Sequence, residues 1–385
     1  MKNIHSFILL ILYTCTAVVY AYISVGQTCY CEVEIDMEKM SYVLMEVDTG
    51  TVLEKNMESD IRPMGTLNKI MTALLVMEKI DEGALSMDTE LTASSDACNA
   101  SGAVIWLEKG DKINVYELMK GMLGGNANDA ANVLAEAVSG TKEEFVKLMN
   151  RRAADLEMKD TVFTMPGESD DENQMTTALD MAVLSSKVAA YTALHDMITV
   201  RYELIRDGKA EVVNENKLVT SYNGITGLKA GHTKESGYSV VASACRSGGN
   251  YVAVVLGCTD EDERFIAAKQ LLNNGFTKYK SVTPGFNREY MKPLTVKHGT
   301  DSAVELRAYS ISELIIRRGT EGKIKTVVIL PKYIEAPVRE NQCVGVLAFY
   351  SQDTLLYETQ LVTENSVEKN TFFKSLKKII SKMFK

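Results

Sequence analysis

Arg62-Pro63-Met64-Gly65-Thr66-Leu67-Asn68-Lys69-Ile70-Met71-Thr72 is the stretch on which the fold turns. From Leu67 onward the apolar positions Ile70, Met71, Leu74, Leu75 and Met77 to Ile80 recur at helical spacing. A helix is therefore expected to begin near Thr66, with Lys69 on its first turns. Residues three apart lie about one turn apart, so the hydroxyl of Thr66 and the amine of Lys69 face the same side. Taken alone, Thr66 also reads as an ordinary helix N-cap, since a threonine oxygen can accept from a free first-turn amide.

Around this stretch the pattern alternates between strands and helices. Ser41 to Val47, the turn Asp48-Thr49-Gly50 and Thr51 to Leu53 read as a hairpin. Val115 to Val138 is helix-rich with a break at Gly124-Gly125, and Thr141 to Leu156 is an amphipathic helix with Phe145, Leu148 and Met149 on one face. An acidic loop, Gly167 to Asn173, leads to a helix near Thr177 to Ser186. Gly237 to Ala244 and Tyr251 to Gly257 read as strands around a loop from Cys245 to Asn250, and Arg264 to Gly275 as a closing helix. The expectation is an α/β domain over 36–280. Beyond it the helical periodicity stops, and short strands at Pro293 to Val296, Ala303 to Leu306, Lys325 to Leu330 and Cys343 to Tyr350 point to a small all-β domain over 285–365.

Both termini carry their own signals. Lys2 followed by the uncharged run Phe7 to Val25, with Val19-Tyr20-Ala21 as a cleavage site, reads as an export signal or a retained anchor over 1–25. Over 370–385, Phe372, Phe373, Leu376, Ile379, Ile380, Met383 and Phe384 share one helical face and lysines the other. Such a helix suits a membrane surface. Whether the N-terminal run is cleaved or retained, the body of the chain is expected outside the cytoplasm.

Composition narrows the function classes. The 385 residues, 46% hydrophobic, suffice for two cored domains. A formal charge of −9 argues against nucleic acid as a partner. Cys15, Cys29, Cys31, Cys98, Cys245, Cys258 and Cys343 form no metal-ligand pattern, and His5, His195, His232 and His298 lack zinc spacing, so no metal and no cofactor are expected. Disulfides are open to an exported chain, but scattered thiols are the simpler reading.

Three short motifs in order carry a resemblance: Thr66-x-x-Lys69, Asn126-Ala127-Asn128 and Lys229-Ala230-Gly231 followed by His232-Thr233. With Ser95 to Gly102, Trp106 to Gly110, Asn128 to Ala131, Ala135 to Gly140, Met158 to Thr161 and Thr233 to Tyr238, the chain resembles the low-molecular-mass penicillin-binding proteins, serine-type D-alanyl-D-alanine carboxypeptidases. The resemblance spans nearly the whole chain. It implies a β-lactamase-like antiparallel sheet flanked by helices with an all-helical lobe, then the β domain and the amphipathic tail. It also implies peptidoglycan stem peptides and β-lactams as ligands.

The same resemblance assigns roles. Thr66 falls at the serine nucleophile, Lys69 at the lysine that takes its proton, and Asn126 at the hydroxyl that relays a proton to the leaving amine. Asn128 orients substrate. Lys229, Ala230, Gly231 and His232 line the cleft, with Lys229 supplying charge and Ala230 standing where a threonine would hold the substrate carboxylate. Each motif has lost its expected hydroxyl residue. Threonine keeps a hydroxyl but adds a methyl that restricts χ1. An asparagine amide cannot shuttle a proton, and alanine donates nothing. The expectation is a ligand-binding cleft with weak or lost hydrolysis, or a binding module in the cell envelope. Neither Glu168 nor Glu172 makes a persuasive deacylating base of the β-lactamase kind.

Overall fold

Hydrophobic patterning builds the sheet first. The computed structural model describes residues 35–371 apart from 168–170, 172, 247–248, 285–290, 312 and 352–353. The expected N-terminal signal and the C-terminal amphipathic helix lie outside the described residues, as do Glu168 and Glu172. Five strands, β1 (Ser41–Glu46), β2 (Val52–Asn56), β3 (Ile225–Thr233), β4 (Gly237–Arg246) and β5 (Gly249–Cys258), form an antiparallel sheet in the order β2-β1-β5-β4-β3. The central strands are apolar on both faces, as expected of strands covered on two sides. Their alternation divides the core. Val43, Met45, Val252 and Val254 join the helical cluster on one face. Tyr251 points the other way and meets Phe276 edge-on at 4.9 Å.

Six α-helices of nine residues or more lie among the described residues: α1 (Lys69–Asp81), α2 (Val115–Leu123), α3 (Asn128–Ser139), α4 (Lys142–Asp155), α5 (Ala178–Ala189) and α6 (Glu263–Lys278). Helix α1 is buried from Lys69 through Met77, because it is apolar nearly all round and so belongs in the core. Thr141 caps α4 by accepting from the Glu144 amide at 3.2 Å, and Thr177 caps α5 by accepting from the Asp180 amide at 3.1 Å. Helices α5 and α6 pack against the sheet, while α2, α3 and α4 make the helical lobe beside α1. The mixed α/β architecture expected from the sequence is what forms.

Several local readings shift. Thr66 lies in a 3₁₀ turn, Gly65–Asn68, and the α-helix proper starts at Lys69. Tight turns of this kind often precede a helix. Strands β4 and β5 run on through Arg246 and from Gly249, so the loop between them is shorter than the stretch from Cys245 to Asn250. The register pairs Cys245 with Asn250 and Arg246 with Gly249, which extends the ladder over residues that look turn-like in isolation.

The C-terminal part has its own core, including Leu294, Val296, Leu314, Leu347, Phe349 and Leu361. Its largest sheet orders the strands Leu306–Ala308, Thr354–Thr363, Cys343–Ser351 and Ile324–Ile329, all antiparallel. The strand Tyr279–Val282, immediately after α6, pairs with Leu314–Arg317. The strands Leu314–Arg317 and Thr354–Thr363 were not read from the sequence. The first is short, and the second interleaves polar residues among its apolar ones.

Cys98, Cys245, Cys258 and Cys343 are free thiols. Cys258 is buried at 4% exposure, and that burial pushes its thiol up to about 11. At pH 8 only about one part in a thousand is then thiolate, the reactive form. Iodoacetamide at pH 8 should therefore modify the exposed Cys245 and Cys343 and leave Cys258 intact until the chain unfolds, as read by peptide mass spectrometry.

Candidate active site

The three motifs converge where α1, the α2–α3 turn and β3 meet. Thr66 is 3% exposed and Lys69 fully buried, the first just before α1 and the second at its start. Strand β3 passes directly over the threonine. A Cβ placed on Gly231 would stand 1.6 Å from Thr66 Oγ1, so no side chain larger than hydrogen fits there. The Thr66 hydroxyl is enclosed and has no hydrogen-bond partner among the described residues. Leaving a buried hydroxyl unpaired costs about 1–3 kcal/mol.

The second motif sits in a tight connection. Gly124 and Gly125 let Val212 press onto the turn, since a Cβ on Gly124 would come within 2.8 Å of Val212 Cγ1. Asn126 follows with φ at 61°, a left-handed conformation that asparagine tolerates better than most residues. Its side chain is held at both ends. Nδ2 donates to Glu215 Oε1 at 2.9 Å, and Oδ1 accepts a short bond from Lys229 Nζ. Lys229 also donates to the carbonyls of Leu123 at 3.2 Å and Met122 at 3.4 Å, at the C-terminal end of α2. An ammonium is favoured there by the negative end of the helix dipole.

Asn128, the first residue of α3, fixes the opposite wall. Its backbone amide donates to Ala103 O at 2.7 Å and its Nδ2 to Ser101 O at 2.6 Å. Beside it, Asn68 Nδ2 donates to Met165 O at 3.1 Å, and Thr72 donates to Pro166 O at 2.7 Å, tying the segment around 164–167 to α1. Between these walls lies a cavity of about 490 Å³ lined by Ser101, Asn128, Asn132, Met165 and Gly167 among others. Thr66 and Lys69 do not line it, so it opens beside Asn128 rather than over the hydroxyl.

The third motif lies wholly on β3. Ala230 is buried at 3% and has no donor on its side chain. Neither following residue makes good the loss. Thr233 is engaged inside the β3–β4 turn, donating to Ser236 Oγ at 3.0 Å and accepting from the Ser236 amide at 3.0 Å. His232 is exposed and stacks on its cross-strand partner Tyr238 at 4.1 Å between centroids.

Residues outside the motifs complete the arrangement. Arg264 of α6 is 2% exposed and donates through Nη1 to Gly231 O at 2.6 Å and Ser239 O at 3.1 Å, bracing β3 from below. Burial pulls this guanidinium below its ordinary value, against the opposing pull of the Glu215 carboxylate. Asp129, next to Asn128, accepts from the amides of Ile105 and Leu107, each at 3.0 Å. Glu215 and Arg264 have no motif signal, because each meets the site only through tertiary contact. Asp129 had one: an acid in the first turn of a helix, adjacent to a motif.

The Thr66 hydroxyl thus lies under Gly231 of the strand that carries Lys229, with Lys69 buried three residues further on and not hydrogen-bonded to that hydroxyl. Comparison with known proteins identifies the family. Residues 28–260 match the D-alanyl-D-alanine carboxypeptidase family, and residues 279–369 match the C-terminal domain of penicillin-binding protein 5. The chain is 31% identical over 350 residues to the D-alanyl-D-alanine carboxypeptidase DacF of Bacillus subtilis, covering 90% of each. It is 29% identical over 351 residues to DacC of Escherichia coli, covering 88% of this chain and 86% of the relative. Among solved structures, penicillin-binding protein 6B from Escherichia coli superposes with a TM-score of 0.69 at 26% identity, covering 87% of this chain and 98% of that one. Penicillin-binding protein D2 from Listeria monocytogenes, solved in a cefotaxime-bound form, matches 63% of this chain and 99% of its own at 28% identity and a TM-score of 0.56. The chain belongs to the D-alanyl-D-alanine carboxypeptidase family of peptidoglycan metabolism.

Proposed function

We propose that this protein is an exported, membrane-attached member of the family that binds the D-alanyl-D-alanine end of stem peptides and turns it over slowly or not at all. The observation that carries this reading is the enclosure of the Thr66 hydroxyl beneath Gly231. The hydroxyl is where a nucleophile belongs, yet a substrate carbonyl needs room beside it. Misplacing the reacting atoms by about 1 Å costs on the order of 10²-fold.

In the reaction that remains open to this site, Thr66 Oγ1 forms a bond to the carbonyl carbon of the penultimate D-alanine and the C–N bond to the terminal D-alanine breaks. The hydroxyl proton passes by way of Lys69 to the departing amine. Water then hydrolyses the ester and restores the threonine. Asn126 contributes no relay hydroxyl, and Ala230 leaves one contact to the terminal carboxylate unmade, worth about 1.5–3 kcal/mol for a charged acceptor. Asn128 and Lys229 keep the binding side of the cleft.

A second reading is a binding or scaffold module of the cell envelope. It is favoured by the engagement of Asn126 with Lys229 and of Thr233 with Ser236, which occupies groups that substrate would otherwise use. Fluorescent penicillin separates the two. Slow covalent labelling that disappears in Thr66→Ala, together with release of D-alanine from a pentapeptide, is expected for the enzyme. Background labelling at saturating reagent, with no alanine released, would overturn hydrolysis and leave the binding module. The N-terminal signal and the basic amphipathic C-terminal segment support attachment to the outer face of the membrane.

A further inference from the structure

Trp106 is the sole tryptophan of the chain and is 72% exposed. Its backbone adopts φ of 58°, a conformation that is a genuine outlier for a bulky residue. The surroundings impose it from both sides. Asp129 accepts from the amides of Ile105 and Leu107, on either side of the tryptophan. Arg206 Nη1 donates to the carbonyls of Ile105 at 2.6 Å and Trp106 at 2.5 Å, while the same guanidinium pairs closely with Asp111. The Arg206 amide in turn donates to Glu117 Oε1 at 3.0 Å. A buried carboxylate and an ion-paired arginine together hold a large apolar ring out in water. Strain fixed by so many contacts points to a use for the displayed group.

The chemistry around the ring selects its partner. Ile105 and Leu107 are buried, and Glu108 and Lys109, which follow, are exposed, so the residues next to it along the chain add no exposed apolar side chain to the indole. A single ring is far below the roughly 1,000 Å² that a specific protein interface needs. A pyranose fits such a setting. Its C–H face carries slight positive charge and stacks on the electron-rich indole face, while its hydroxyls reach polar groups at the rim. The ring's own segment also supplies the carbonyls of Ser101 and Ala103 that hold Asn128, so it is continuous with the wall of the cleft.

We propose that Trp106 is a stacking platform for a sugar ring of an N-acetylated β-1,4-linked glycan. It would hold the polysaccharide to which stem peptides are attached, independently of whether Thr66 acts. The inference goes beyond the peptide-binding reading and does not require turnover.

Because there is one tryptophan, intrinsic fluorescence reports this ring alone. Titration of the full-length protein with the β-1,4-linked tetramer of N-acetylglucosamine should give a saturable change in emission with Kd of about 1 mM or tighter. By isothermal calorimetry or ligand-observed NMR, Trp106→Ala should weaken that binding by about three- to tenfold, the scale of a lost aromatic stack. Trp106→Tyr should retain most of it. Thermal melts of both variants should match the parent, since the ring is exposed. A sugar-free pentapeptide ending in D-alanyl-D-alanine probes the cleft separately, and its binding should be unchanged in Trp106→Ala. No saturable response to the tetramer, or equal binding by Trp106→Ala, would overturn the proposal. So would a spectral change produced by anionic phospholipid vesicles but not by the tetramer, which would assign the ring to a lipid surface.

Discussion

The combined variant Thr66→Ser, Asn126→Ser, Ala230→Thr should acylate with fluorescent penicillin on the order of 10³-fold faster than the parent chain. Removing the threonine methyl beneath Gly231 relieves the crowding of the hydroxyl, and recovered alignment is worth on the order of 10²-fold. Restoring a threonine at 230 returns a donor to the substrate carboxylate, about 1.5–3 kcal/mol, or roughly one to two further powers of ten. The serine at 126 acts in both directions. It supplies a hydroxyl for proton transfer, but it abandons the bonds to Glu215 and Lys229 and places serine at a φ of 61° better suited to asparagine. The gain should therefore be largest in the triple variant, with Asn126→Ser alone near or below the parent rate. A triple variant that labels no faster, while melting within a few degrees of the parent, would mean that the site differs from active relatives by more than these three side chains.

Asp129→Ala should destabilise the chain by about 2–5 kcal/mol. The carboxylate is 1% exposed and accepts from the amides of Ile105, Leu107 and Ala130. Removing it strands at least two buried donors, each costing about 1–3 kcal/mol. For a domain of this size the melting temperature falls about 2–4 °C per kcal/mol, so a drop of roughly 5–15 °C is the expected readout in differential scanning calorimetry. The same change should loosen the 101–107 segment and, through Ser101 and Ala103, the position of Asn128. A fall in ligand affinity should therefore accompany the fall in stability. Asp129→Asn, which retains one carbonyl acceptor, should lie between the two.

What the sequence made legible was whatever local physics decides. The helical period after Leu67, the helices read from Thr141 and near Thr177 and the apolar runs of β4 and β5 each depend on neighbours in the chain, and each formed close to where it was expected. Two pairs of motif residues meet across the fold: Lys229 reaches Asn126, and Gly231 lies on Thr66. Less legible was how their partners are engaged. Nothing near Thr233 in sequence says that its hydroxyl closes a turn with Ser236 rather than facing the cleft. Glu215 lies 89 residues from Asn126, and no periodicity announces their bond. Arg264 looked like an ordinary start to a helix, yet it is buried beneath β3. These are tertiary facts, set by packing between elements whose order along the chain carries no record of it.

The seat of Lys229 at the end of α2 has a kinetic consequence. A bare ammonium in a cleft draws anions from a distance and speeds their arrival, an effect that salt removes. Here the charge is answered locally by the carbonyls of Met122 and Leu123 and by Asn126, with the Glu215 carboxylate just beyond. Its field is therefore short-ranged. Capture of an anionic peptide end should proceed at nearly the same rate in dilute and concentrated salt, so encounter would depend on how densely the wall offers its ends rather than on electrostatic pursuit.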